Sequence, residues 1–349
     1  MSSIHSLVLF IFIITNVIGC ATPLKESEST SGQLDWPAPP EQTRFRFIMS
    51  IVNSDNIRIK SDTEKLQELI SGKREPAYAL DRPIEIAVKE GRIYLIDSAT
   101  SVIHVFDLQR KRYFNFGFRF EGKLGQPVGI TVDQQGLVYV SDRVRKSILV
   151  YDPFGLYVKT VDLTDITTQL AGIATSPDGN RIYVVDRGGI DSNQHQLVII
   201  DQINDTVKQV GQRGNGQGQF NLPTDIAVDS EGTVYLLDAG NFRVQVFNED
   251  GEYITAWGKA GSGLGQFGMP RSIEIDHDDH IYITDAQFGN VQIFNNSGQL
   301  LMAVGRLSSE PGAGLYSLIT GIAVDEKNHL FVLDQFFKKL DIFQKLAIE

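Results

Sequence analysis

One cysteine, Cys20, stands among 349 residues, so no internal disulfide framework is available and the fold is held non-covalently. Basic charge is not in excess: 32 Lys and Arg against 43 Asp and Glu leave a formal charge of -11, which argues against a general attraction to nucleic acid or anionic lipid. Only six histidines occur, and none repeats a metal-ligand spacing. The longest apolar run, Leu7 to Ile14 (LVLFIFII), is too short to span a bilayer as a helix. No G-x-S-x-G elbow and no phosphate-binding loop leads a strand into a helix. These gaps remove disulfide-rich, nucleic-acid-binding, membrane-spanning and nucleophile-elbow classes together.

What is present begins with that apolar run, which reads as a secretory h-region followed by Val17-Ile18-Gly19-Cys20. V-I-G-C resembles the lipobox of bacterial lipoproteins, although the opening MSSIHS carries no Lys or Arg. The resemblance implies a signal peptide over residues 1–19 and an acylated, palmitate-bearing Cys20 whose chains partition into a membrane. It also implies a place in the cell envelope, on the periplasmic side of the outer membrane or at the surface in a Gram-negative host. Residues 20–43 are rich in Ser, Thr, Glu and Pro and read as a flexible tether reaching roughly 25–30 Å. Trp36 within it is either docked on the domain or exposed.

The strongest signal is a repeat. Ile93-Tyr-Leu-Ile-Asp97 recurs as Val138-Tyr-Val-Ser-Asp142, Ile182-Tyr-Val-Val-Asp186, Val234-Tyr-Leu-Leu-Asp238, Ile281-Tyr-Ile-Thr-Asp285 and Leu330-Phe-Val-Leu-Asp334. The aspartates lie 45, 44, 52, 47 and 49 residues apart, the length of one four-stranded sheet with its turns. The fourth unit shows the order best: Pro223 to Asp229, a turn at Ser230-Glu-Gly232, strands Thr233 to Asp238 and Arg243 to Phe247, a turn to Gly251, then Tyr253 to Trp257. Nearly continuous apolar strands such as VYLL are those covered on both faces by neighbours.

The connectors Gly211-QRGNGQGQF-Asn221-Leu-Pro223 and Gly258-KAGSGLGQFGM-Pro270, each leading into I-A-V-D or its equivalent, resemble NHL repeats. Six repeats cover about Pro83 to Gln344. The resemblance implies an all-β, six-bladed propeller of four-stranded antiparallel blades occupying residues 44–349, within a family of bacterial propeller lipoproteins. The sixth unit ends after Leu340-Asp-Ile-Phe343, so its outer strand is expected from Arg44 to Val52 (RFRFIMSIV), closing the ring and removing an open edge. Ser61 to Ile70 reads as a short helix over one face.

The residues beginning the inner strands on the ligand face are Glu85, Gly129, Gly172, Asp225, Ser272 and Gly321. Propeller lactonases and amidating lyases gather metal ligands there. Glu85 and Asp225 belong to blades one and four, and are expected to lie too far across the ring to share an ion. His277-Asp-Asp-His280 reads as a solvated turn, and the six repeated aspartates as acceptors of backbone N–H groups. The sequence thus points to a binding propeller that is not an enzyme and needs no metal or cofactor, with a metal-dependent hydrolase or lyase near Glu85 and Asp225 as the alternative. The candidate binding face is Arg82, Arg143, Arg145, Arg187, Phe242, Arg243, Arg271, Phe288 and Phe336, since Arg and aromatics are favoured at interface centres. The partner expected is a protein, peptide or anionic glycan of the envelope, not nucleic acid. Replacing Cys20 with alanine is expected to abolish incorporation of labelled palmitate and move the protein from the membrane to the soluble fraction; retained labelling would refute the acylation reading.

Overall fold

The computed structural model describes residues 34–37, 41–59, 62–71 and 77–347. The signal peptide, Cys20 and most of the tether lie outside these residues.

Six antiparallel sheets follow one another along the chain. Blade 1 is Pro83–Lys89, Arg92–Asp97, Val102–Asp107 and Arg112–Phe116. Blade 2 is Pro127–Val132, Val138–Asp142, Ser147–Tyr151 and Tyr157–Asp162. Blade 3 is Leu170–Thr175, Arg181–Asp186, Gln196–Asp201 and Thr206–Val210. Blade 4 is Asp225–Val228, Val234–Asp238, Arg243–Phe247 and Tyr253–Trp257. Blade 5 is Pro270–Ile275, Ile281–Asp285, Asn290–Phe294 and Leu300–Val304. Blade 6 has Ile319–Val324, His329–Asp334 and Lys339–Lys345 from the C-terminal end.

The fourth strand of blade 6 is Phe45–Ile51, paired from Phe45 opposite Lys345 to Ile51 opposite Leu340. The ring is therefore closed between the two ends of the domain, as expected, and blade 6 is not left with three strands. A fifth short strand, Asp35–Trp36, pairs with Arg46 and Phe45 and lies within the stretch read as tether. Trp36 meets Phe343 edge-on at 5.3 Å, and Asp35 accepts a hydrogen bond from Arg46 Nε at 2.9 Å.

Burial explains why each unit forms these strands. The second strands of blades 2, 4 and 5 are wholly buried, whereas an outer strand such as Thr206–Val210 is largely exposed. The apolar core is divided into six clusters, each between two adjacent blades: Phe106 and Ile93 of blade 1 pack on Phe331 and Leu340 of blade 6, for example, and Phe267 and Phe294 of blade 5 on Leu237 and Val244 of blade 4. Each fully buried aliphatic side chain in these layers contributes about 1.5–3 kcal/mol. No blade can bury both faces alone.

The helix Asp62–Ser71 forms where expected, but it does not pack its apolar side chains over a face of the ring: Leu69 and Ile70 are 82% and 76% exposed. Its three apolar positions are too few to offset the cost of ordering a docked helix.

The six repeated aspartates are buried, and each binds the connector that leads into its own blade. Asp142 accepts from the Gly125 and Gln126 amides at 2.6 and 3.0 Å and from Arg145 N at 2.9 Å. Asp186 accepts from Thr168, Gln169 and Gly188, and Asp285 from Gly268, Met269 and Gln287 at 2.7, 3.0 and 2.9 Å. Asp97, Asp238 and Asp334 repeat the contact with Asp81, Asn221 and Ser317. The carboxylate thus ties three segments of one blade together: the entering connector, its own strand end and the following turn. Removing it leaves two or three amides without a partner, so Asp285→Ala is expected to cost about 3 kcal/mol in urea denaturation, while the exposed neighbour change Gln287→Ala leaves the midpoint close to wild type.

Candidate functional site

The same aspartate ties place side chains around the mouth of the central channel. Arg143 and Arg187 directly follow Asp142 and Asp186, and their amides bond Gln126 O and Gln169 O, both at 2.9 Å. Arg271 follows Pro270 at the start of the blade 5 inner strand. These three line a cavity of about 190 Å³ to which every blade contributes, with Glu85, Thr224, Ser272 and Gln335 among its other walls. Arg143 Nε donates to Leu170 O at 3.2 Å. Among the described residues none of the three arginines is within ion-pair distance of a carboxylate, in contrast to Arg243 with Asp238 at 2.9 Å. Burial holds Arg143 and Arg271 below the ordinary arginine value, and repulsion from Arg187 adds to this in both. Such a group of like charges gains from an arriving anion.

The other members of the candidate face are placed differently. Arg145 Nη1 donates to Glu121 O and Lys123 O at 2.7 and 2.8 Å, and Arg243 Nη2 to Gly216 O and Gln219 O at 2.8 and 2.9 Å, so both brace connectors. Phe242 packs against the core layer between blades 4 and 5. Phe288 is half-buried and does not line the cavity. Arg82 is exposed, as is Phe336, and neither lines the cavity. Sequence reading missed Thr224, whose Oγ1 is buried with no hydrogen-bond partner.

Below the mouth, Glu85 and Asp225 meet on one serine. Ser272 Oγ lies 2.7 Å from Asp225 Oδ2 and 3.4 Å from Glu85 Oε1, and Asp225 Oδ2 also accepts from Ile273 N at 2.9 Å. This corrects the expectation that Glu85 and Asp225 are held apart across the ring. The inner strands converge on a narrow axis, and glycines opposite leave the carboxylates room: a Cβ on Gly321 would fall 2.6 Å from Glu85 Oε1, and one on Gly172 2.1 Å from Asp225 Oδ1. A hydroxyl has one hydrogen to donate. When it serves Asp225, the Glu85 contact is a hydrogen bond only if Glu85 is protonated. Burial accordingly pushes Glu85 well above its ordinary value, with repulsion from Asp225 and Glu274 adding to it. Burial raises Asp225 to about 6 against the bonds from Ser272 and Ile273, and Glu274 to about 8. A second chamber of about 180 Å³ continues down the channel past Glu85, Asp225 and Glu274.

The channel carboxylates do not fit a resident metal: among the described residues, the one group of three acidic or imidazole side chains with ligand atoms within 4.8 Å of one another is Asp276, Asp278 and His280, outside the channel. There Lys345 Nζ already sits 2.6 Å from Asp276, 2.8 Å from Asp278 and 3.2 Å from His280 Nδ1. The turn read as solvated is thus an ion-pair tie between blades 5 and 6.

A closed ring of six four-stranded blades with its ligand-facing residues at one channel mouth is a six-bladed β-propeller. The chain carries NHL repeats, matched at residues 124–151 and 220–247, and a 6-bladed beta-propeller domain, matched at 272–344. It is 38% identical to NHL repeat-containing protein 3 of Homo sapiens over 78 residues, 22% of each chain, and so spans about a fifth of that relative's length. Among solved structures it resembles a catalytically inactive variant of virginiamycin B lyase from Staphylococcus aureus with quinupristin (TM-score 0.55, 13% identity, 76% of this chain and 96% of that one). It also resembles a gluconolactonase from Xanthomonas campestris (TM-score 0.59, 14% identity, 76% and 86%). These likenesses show the fold alone. They nonetheless correct the expectation that the chain is not an enzyme: propellers of this shape include enzymes, so the fold gives no ground for setting catalysis aside and assigns no particular reaction.

The three raised carboxyl groups give the stability a pH slope. A folded-state value above the unfolded one contributes stability that is complete at low pH and is lost as pH rises through the folded value. Stability is therefore expected to fall as pH rises to about 8, the folded value of Glu274, and the part of that fall above pH 6.5 lies beyond the range in which His104, held below 6.5 by burial, titrates. Denaturation across that window should show a shallower slope for Glu274→Gln; an unchanged slope would refute the placement of Glu274 in the channel.

Proposed function

We propose that this protein is an envelope-anchored propeller that binds an anionic ligand at the channel mouth through Arg143, Arg187 and Arg271, with Cys20 as its lipid anchor. The observation that carries the reading is the set of three neighbouring guanidinium groups on one cavity with no carboxylate within ion-pair distance among the described residues. Three unneutralised arginines repel one another, and an anion that bridges them relieves that repulsion while forming charge-assisted bonds worth about 1.5–3 kcal/mol each. The orphaned Thr224 hydroxyl supplies a further donor. Among the partner classes considered, a carboxylate- or phosphate-bearing small molecule, peptide or glycan end fits this chemistry, and the ligand enters from the face that carries the arginines.

Titration calorimetry with a series of mono- and dicarboxylates and phosphate monoesters tests the reading. Arg187→Ala is expected to weaken binding by at least about tenfold, a loss of about 1.4 kcal/mol, with Arg143→Ala and Arg271→Ala comparable. Arg82→Ala and Phe336→Ala, on the same expected face but off the cavity, should leave affinity unchanged. Equal losses from both groups of variants, or none from the first, would overturn the assignment.

A further inference from the structure

The mouth cavity brings arginines beside a carboxyl group. Arg143, Arg187 and Arg271 line it together with Glu85, yet among the described residues no ion pair joins Glu85 to any of them. A carboxyl group beside arginines normally ionises and pairs with them unless the scaffold holds the groups apart. Here it does: the backbone amides of Arg143 and Arg187 are tied to their connectors, Arg143 Nε is spent on Leu170 O, and Glu85 is drawn toward Ser272 and Asp225. The result is an anion-seeking rim above two carboxyl groups that meet on one serine hydroxyl.

We propose that the ligand is a small zwitterion, its anionic group held by Arg143, Arg187 and Arg271 and its ammonium turned down the channel onto Glu85 and Asp225. This rests on the anion-binding reading above and adds the second half of the ligand. The Glu85–Ser272–Asp225 group sets four carboxylate oxygens against one hydroxyl hydrogen and the amides of Ile86 and Ile273, fewer donors than the lone pairs the oxygens offer, and an ammonium supplies three N–H groups in one point charge. The cavity, at about 190 Å³, is smaller than the roughly 300–1,000 Å³ of sites that enclose drug-sized ligands, which suits an amino-acid-sized molecule and not a folded surface.

A proton balance accompanies binding. The charged or titratable groups around the carboxylate pair are Glu274, in the chamber below, and the three arginines above; Ser272 and Thr320 are neutral. Burial keeps part of the pair protonated when empty. A cation seated on it favours the ionised form, so the bound ammonium displaces a proton to solvent, while a ligand lacking the ammonium does not.

The test uses the full-length protein and three ligand series of matched length: ω-amino acids from glycine to 6-aminohexanoate, the carboxylates lacking the amine, and the hydroxy acids. Calorimetry in buffers of different ionisation enthalpy reads affinity and proton release together. At one chain length the amino acid is expected to bind at least about tenfold more tightly than its carboxylate and to release protons, and Glu85→Gln should remove both differences. Because the ligand comparison is made on the unaltered protein, a variant that fails to fold does not blunt it. Carboxylates that bind as tightly as amino acids, or hydroxy acids that match them without proton release, would overturn the zwitterion and leave the anion site standing. Binding by none of the three series would overturn the anion site itself.

Discussion

The buried aspartate at the end of each second strand is the contact on which the rest of this molecule is organised. It is a charge placed where water is excluded, and it is tolerated because three backbone amides converge on it in five blades, and in blade 4 the Asn221 amide with the Asn241, Arg243 and Gln245 side chains. Those amides belong to the connector entering the blade and to the turn after the strand, so the same bond that stabilises the blade determines where the chain crosses the channel mouth. Arg143 and Arg187 inherit their positions from it as the next residues in the chain. A repeated structural device thus delivers a non-repeated surface: the aspartate is the same in all six blades, while the residue after it is Ser98, Arg143, Arg187, Ala239, Ala286 or Gln335.

Closure is the second requirement. Six interblade layers replace a single core, and the layer between blades 6 and 1 takes in Ile51 of the strand Phe45–Ile51 that pairs with Lys339–Lys345. The tie of Lys345 to Asp276 and Asp278 and the contact of Trp36 with Phe343 reinforce blade 6 from two sides. This is also why a tempting cluster of acidic and histidine side chains has no need of an ion: its cation is a lysine of the neighbouring blade.

The channel joins two electrostatic environments within a short distance. Above, arginines lie near one another with no carboxylate within ion-pair distance among the described residues. Below, carboxyl groups are kept partly protonated by burial and by each other. A fold whose axis is lined by six backbone strands is suited to holding such groups apart, because inner-strand backbones are rigid and each contributes one or two side chains. Propellers of similar shape include enzymes.

Blade number, strand order, the closing strand at Arg44 to Val52 and the role of the six aspartates were legible in the sequence, because each rests on local rules repeated six times: strand patterning, turn glycines and a spacing that suits one sheet. Arg143, Arg187 and Arg271 were legible as candidates for the same reason, since the repeat places them on one face. Residues such as Arg145, Arg243 and Phe242 carried the same signal, and only packing revealed that they hold connectors or core layers. The meeting of Glu85 with Asp225 was beyond sequence reading, because it depends on how closely six inner strands approach the axis and on the space left opposite by Gly172 and Gly321. Local periodicity determined the architecture of this protein; the charge arrangement at its channel was decided by tertiary structure, because side chains 140 positions apart in the chain come together there only once the ring has closed.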